Sequence, residues 1–278
     1  MSLMSKLLMS TIAATAFLNA GVSDAELIKY FKKFIVNNPS VKVTGVEILD
    51  KRTIEGHPGW EVYLTNMKLK HNGKAASAPQ TVFVKDGLAT SMLVNIKTGT
   101  NYAKDMKPKV PAALYNDAHL LFGNKDAKHK ILIFSDPQCP FCMEVVPEMM
   151  KAAKKYPETF ALYYYHLPLM RIHPVSGILT RVMYVAQHKG NSDEVIKLYS
   201  LKIDPRETNV DKVLAAVKKQ SGFVVTKTEI EKKAVKDAMK SDENAAAKMM
   251  VSGTPTVYVD GEWDKARNKY ESLIPKKK

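Results

Sequence analysis

Of 278 residues only two are cysteines, Cys139 and Cys142, and both lie in the stretch FSDPQCPFCMEVVP. Their spacing narrows the chemistry. A bond between them closes a tiny loop and removes little entropy from the unfolded chain, so the pair is a poor structural staple. A structural zinc centre takes four ligands. Only two thiols exist, and none of the seven histidines is spaced to join them. Redox chemistry remains. The apolar run before the pair reads as a strand, and a helix is expected to begin at about Cys139. Free N–H groups and the helix dipole favour negative charge at such a position. The Cys139 thiol should therefore ionise below the ordinary value of about 8.5 and act as the nucleophile. Cys142, one turn in and more buried, would resolve the mixed disulfide. Pro140 and Phe141, between them, would set the redox poise, and neither titrates.

These residues need elements to hold them. Residues 24–38, DAELIKYFKKFIVNN, place apolar side chains at helical spacing, with Ser23 or Asp24 as N-cap and Pro39 as stop. Four strand-like runs follow: VKVTGVEIL, GWEVYLTNMKL, TVFVKDG and SMLVNIKTG. Asn72-Gly73 and Asp86-Gly87 are hairpin signals. One helix and an antiparallel sheet of about four strands make a small α+β unit over residues 22–100. KDMKPKVP lies in the expected linker, 101–123, which should end in a short connecting helix, AALYNDAHLLFG. The second half, 124–278, runs strand HKILIFSD, cysteine turn, helix, strand FALYYYHLPL, several helices over about 175–250, strand and hairpin GTPTVYVDGEW, and a last helix near Asp264–Leu273. That order is a thioredoxin fold with a helical insertion.

The chain resembles the periplasmic disulfide isomerases of the DsbC/DsbG type over nearly all of its mature length. FSDPQCPFC is most similar to the DsbG pattern, and Thr254 before Pro255 and the apolar Ile133 also fit that group. Pro147 stands where thioredoxin folds carry a helix-kinking proline. HPVSGILTRVMYVAQHKG and SGTPTVYVDG are similar to DsbA-like chains instead. The resemblance implies a cis Thr254-Pro255 bond beside the cysteines, and a client surface made with Pro140, Phe141, Thr254 and Pro255. It implies a cystatin- or NTF2-like N-terminal dimerisation domain, a homodimer, and no cofactor. The clients would be misoxidised or unfolded exported proteins. The membrane redox partner would be DsbD-like for an isomerase and DsbB-like for an oxidase.

The N-terminus, MSLMSKLLMSTIAATAFLNAGVSDAE, has Lys6 ahead of a mostly apolar run from Leu7 to Leu18, too short to span a bilayer. Residues 1–20 read as a secretory signal, with a buried or amphipathic helix as the alternative. Export to a periplasm permits disulfides. The net charge of +14 comes from 42 basic and 28 acidic side chains. The lysines are scattered, as on solvated helix faces, and no nucleic-acid motif accompanies them. Asp136, three before Cys139, would either shape the turn or tune the thiolate. His166 and His173 abut prolines or Leu-Pro and read as structural, and Glu144 as solvated. The alternating tyrosines of YYYH must partly enter a core. The expected activity is disulfide isomerase or reductase. The alternatives are a DsbA-like oxidase, or a chaperone whose cysteines are incidental.

Overall fold

A computed structural model describes residues 22–36 and 38–276; the segment 1–20, read as a signal, lies outside them. Helix α1, Asp24–Tyr30, starts on a capping box. The Ser23 hydroxyl accepts the Glu26 N–H, and the Glu26 carboxylate accepts the Ser23 N–H. A π-helical turn, Phe31–Ile35, ends the helical stretch short of the expected residue 38. Leu27 and Phe31 point from it into a core with Tyr63, Val82 and Val84. The sheet beneath is antiparallel, in the order β1 (Val41–Thr53), β2 (Glu61–His71), β3 (Lys74–Lys85), β4 (Leu88–Thr90). Asn72-Gly73 and Asp86-Gly87 make the β2–β3 and β3–β4 hairpins, both residues of each at positive φ. The fourth strand is shorter and earlier than the run SMLVNIKTG suggests. That run is a loop, because the Asn95 side chain accepts the N–H groups of Lys97 and Thr98 and turns the chain.

Helix α2, Tyr102–Asp105, and a 3-10 turn, Ala112–Leu114, lead to the second sheet. The expected connecting helix is corrected here. Its second half is strand β5, Leu120–Gly123, which pairs antiparallel with a later strand, so the second sheet begins before residue 124. Leu121 and Phe122 are buried there, an apolar pair that a sheet edge hides better than an isolated helix would. A Cβ on Gly123 would lie 1.7 Å from the Phe160 carbonyl oxygen, so only glycine fits.

The second sheet runs β5, β7 (Phe160–His166), β6 (His129–Ser135), β8 (Thr256–Val259), β9 (Glu262–Trp263), with β6 and β7 parallel. Helix α3, Pro140–Lys155, joins β6 to β7. Between β7 and β8 lie α4 (Ser176–His188), α5 (Ser192–Leu198), α6 (Val210–Ser221), α7 (Lys227–Ile230) and α8 (Lys233–Lys248). The last helix is only a 3-10 stretch, Lys269–Leu273. Both faces of the sheet are covered. Ile131, Ile133, Leu162 and Tyr164 pack with α3 and α4. Leu132, Phe134, Tyr163 and Tyr165 pack with Ala245, Ala246 and Met249. All three tyrosines of YYYH are therefore buried, as a central strand between two helical layers requires.

Candidate active site

β6 is the central strand, and its C-terminal end carries the cysteine turn. Asp136 shapes that turn. Its Oδ1 accepts the Gln138 N–H at 2.8 Å, and its carbonyl accepts the Cys139 N–H at 3.2 Å. Cys139 is then the N-cap of α3, at φ −71° and ψ 123°. Pro140 takes N1, where a missing N–H costs nothing and a fixed φ suits the helix. The N–H groups of Phe141 and Cys142 are left facing the Cys139 sulfur. Pro147 lies inside α3 and cannot bond the Met143 carbonyl.

Both thiols are free. Cys139 is 6% exposed and Cys142 fully buried. The Thr254-Pro255 bond is cis. The loop it forms lies against Cys139, whose Sγ donates to the Thr254 carbonyl at 3.3 Å. The Thr254 hydroxyl is buried and has no partner, and it can turn to a thiolate. The Cys139 thiol is held down to about 5. The Cys142 thiol beside it is the main cause, with the Thr254 side chain and the Cys142 and Phe141 N–H groups adding to it against burial. Burial pushes the Cys142 thiol far up, and the neighbouring Cys139 sulfur adds to this. The pair is thus split into one ready thiolate and one retained thiol.

The structure brings Cys139, Cys142, Thr254 and Pro255 together, with Pro140 and Phe141 exposed on the rim and Asp136 beneath. The Arg267 guanidinium lies 5.9 Å from the Phe141 ring centroid, from a loop in which Arg267 itself is at positive φ. Asp136 is fully buried and has four donors. Besides Gln138, its Oδ1 accepts the Ser176 hydroxyl at 2.6 Å. Its Oδ2 accepts the Leu169 N–H at 2.8 Å and His173 Nδ1 at 3.1 Å. It therefore ties the cysteine turn to the segment after β7, and His173 serves it as a donor. His166 is buried, and burial pushes it down to about 4, so it is neutral at pH 7. Glu144 is exposed.

Sequence reasoning did not find Ser135, Tyr199 and Tyr164. Ser135 Oγ lies 2.5 Å from Tyr199 Oη, which lies 2.7 Å from Tyr164 Oη. The only sequence signal was the small polar Ser135 at the end of an apolar strand. A cavity of about 530 Å³ opens near Met170, Ile178, Arg181 and Met239 and is lined by neither cysteine. Among the described residues no group of His, Cys, Asp and Glu could hold a metal ion, and no helix is long and apolar enough to cross a membrane.

A dithiol heading a helix, against a cis-proline loop and on a mixed sheet with β6 at its centre, defines a thioredoxin-fold protein. The chain belongs to the thioredoxin family, whose model matches residues 116–274, more than half of its length. Among solved structures it is similar to a periplasmic thioredoxin-like protein from Salmonella enterica serovar Typhimurium. The identity is 20% and the TM-score 0.46, covering 59% of this chain and 92% of that one. BdbD from Bacillus subtilis is 18% identical at a TM-score of 0.44, covering 55% and 86%. The catalytic domain of Proteus mirabilis ScsC is 21% identical at a TM-score of 0.42, covering 58% and 90%. At these levels the likeness carries no argument about activity. No curated protein matches the chain.

Proposed function

We propose that this chain is a thiol–disulfide oxidoreductase that isomerises or reduces misoxidised exported proteins. The observation that carries this is the split pair. Cys139 is held as a thiolate at the head of α3 against the Thr254-Pro255 loop, while Cys142 is buried and protonated. Cys139 attacks a client disulfide, breaks its S–S bond and releases one client thiolate. Either another client thiol displaces Cys139, which completes isomerisation, or Cys142 does, which completes reduction. Phe141, exposed on the rim beside Pro140, offers apolar surface to an unfolded client. The apolar leader ahead of residue 22 supports export to a periplasm, where such clients occur. The resemblance to the DsbC/DsbG type supports the isomerase reading and a homodimer joined through residues 22–100. A DsbD-like membrane reductase would then keep the pair as dithiol.

One observation favours an oxidase as the second reading. A strongly lowered Cys139 stabilises the reduced form, and that makes a disulfide a better oxidant. Thiol trapping in cells separates the two. Recovery of Cys139 and Cys142 as dithiol supports the isomerase, and recovery as disulfide supports the oxidase with a DsbB-like partner. A Cys139→Ser, Cys142→Ser double variant with undiminished effect on clients would leave only a chaperone.

A further inference from the structure

Cys142 poses a problem that the lowered Cys139 does not solve. To resolve a mixed disulfide it must attack as a thiolate, yet burial holds its proton on. The groups acting most strongly on it are Cys139, the Asp136 N–H and the Ser135 hydroxyl. None of these is a carboxylate or an imidazole. Behind Ser135 stands a chain of hydroxyls. Ser135, at the end of β6, meets Tyr199, just past α5. Tyr199 meets Tyr164 of β7, and Tyr164 meets the Met183 thioether of α4 at 3.9 Å. All of these side chains are buried.

The three hydroxyls carry one hydrogen each, and either member of each pair can donate. Rotated one way, Ser135 donates to Tyr199, Tyr199 to Tyr164, and Tyr164 to Met183 Sδ. The Ser135 oxygen is then free to accept the Cys142 S–H. Rotated the other way, Tyr164 donates to Tyr199, Tyr199 to Ser135, and Ser135 to a Cys142 thiolate. Tyr164 and Tyr199 pack in one core cluster with Cys142, and the Ser135–Tyr199–Tyr164 bonds keep their partners in both arrangements; only the Ser135–Cys142 end has to close. A row of donors that polarise one another is stronger at its end than a lone hydroxyl.

We propose that Ser135, Tyr199 and Tyr164 form a reversible hydroxyl wire that positions Cys142 and stabilises its thiolate in the resolving step. The inference rests on the oxidoreductase reading above. In the step, the Cys142 sulfur attacks the Cys139 sulfur of the mixed disulfide. The Cys139–Cys142 bond forms, the Cys139–client bond breaks, and the client sulfur leaves with the electron pair. The Cys142 proton ends on the client thiol, so no further oxidant or reductant is needed. The wire turns over as the proton leaves and takes up no charge itself. Other titratable groups near it do not compete. Burial keeps the wire's own Tyr199 and Tyr164 uncharged at pH 7, and likewise its neighbour His166, whose ring lies 4.9 Å from the Tyr164 ring. The Asp136 carboxylate acts on Tyr164 only at long range, its oxygens being taken by their own donors.

Ellman's reagent reads both halves of the cycle in one trace on the reduced full chain. Attack by Cys139 releases one coloured thionitrobenzoate, and resolution by Cys142 releases the second. Tyr199→Phe keeps the ring and removes the middle hydroxyl. The second phase should slow about tenfold at pH 7, as expected for weakening one hydrogen bond to a charged group. Its rise with pH should move to higher pH, while the first phase keeps its rate and pH profile. Tyr164→Phe, at the far end, should do the same more weakly. A second phase unchanged in both variants would overturn the wire, as would both phases slowing by one common factor. A wild-type chain that releases no thionitrobenzoate would instead defeat the oxidoreductase reading itself.

Discussion

Cys139 sits between two atoms of one residue with opposite preferences. The Thr254 carbonyl accepts from the thiol, and the Thr254 hydroxyl, buried without a partner, can donate to the thiolate. Thr254→Val removes only the second. The alkylation midpoint of Cys139, expected well below 8.5 in the wild type, should then rise by about one pH unit, and Thr254→Ser should restore it. An unchanged midpoint in the valine variant would remove Thr254 from the site. The lowered Cys139 also fixes a stability sign. A thiolate favoured only in the folded reduced chain contributes fully above the unfolded value near 9 and is lost as pH falls through about 5. The melting temperature of the reduced chain should therefore gain on that of the disulfide form as pH is raised from 5 to 8. Cys139→Ser should abolish that gain. At this scale the cysteines and Pro140 were legible from spacing and local backbone rules, whereas the Thr254-Pro255 loop was legible only through the family resemblance. The partners of Asp136 were not. Leu169, His173 and Ser176 lie 33, 37 and 40 residues further on, and no local pattern reports a carboxylate shared across that distance.

Between elements, buried polar side chains act in two ways, one by its hydrogen bonds and one by its charge state. Asp136 joins the β6 turn to the start of α4 with every lone-pair direction used. Asp136→Asn would aim an amide NH2 at two existing donors. The expected loss is about 3 kcal/mol or more in chemical denaturation, with the cysteine turn loosened as well. His166, on β7, acts through its charge state. Its folded value near 4 lies below the unfolded 6.5, so the unfolded chain binds more protons between those limits. Stability should fall from pH 6.5 towards 4, by about 3 kcal/mol from this group alone, and His166→Phe should flatten that limb. A variant as acid-sensitive as the wild type would count against this account. The hairpins were readable because Asn-Gly and Asp-Gly tolerate positive φ. β5 was not, because a four-residue apolar run carries no period that separates strand from helix.

At the scale of the molecule, the question is what the first sheet is for. Its β1 is a 13-residue edge strand that pairs with β2 alone. Leu88, Met92, Val94 and Ile96 are exposed near the other edge, Ile96 at 93%. A small unit with an open edge and scattered exposed apolar groups gains by pairing with a copy of itself about a two-fold axis. The second unit is not independent of the first. Arg52 donates to the Lys107 carbonyl, and Lys107 Nζ reaches the Met250 carbonyl at 2.7 Å, four residues before Thr254. Dimerisation through residues 22–100 would therefore fix how two Cys139 thiolates face a shared client. It would also hinder docking of a membrane oxidase, so the pairs would stay reduced. Light scattering on the mature chain should give about twice the monomer mass, and scrambled ribonuclease should be reactivated. A charged substitution at the paired edge, such as Val43→Asp, should halve the mass and depress isomerisation while leaving the Cys139 alkylation midpoint in place. A wild-type chain that runs as a monomer would remove the dimer and shift the balance to the oxidase, whose single site needs only to dock and hand on its disulfide.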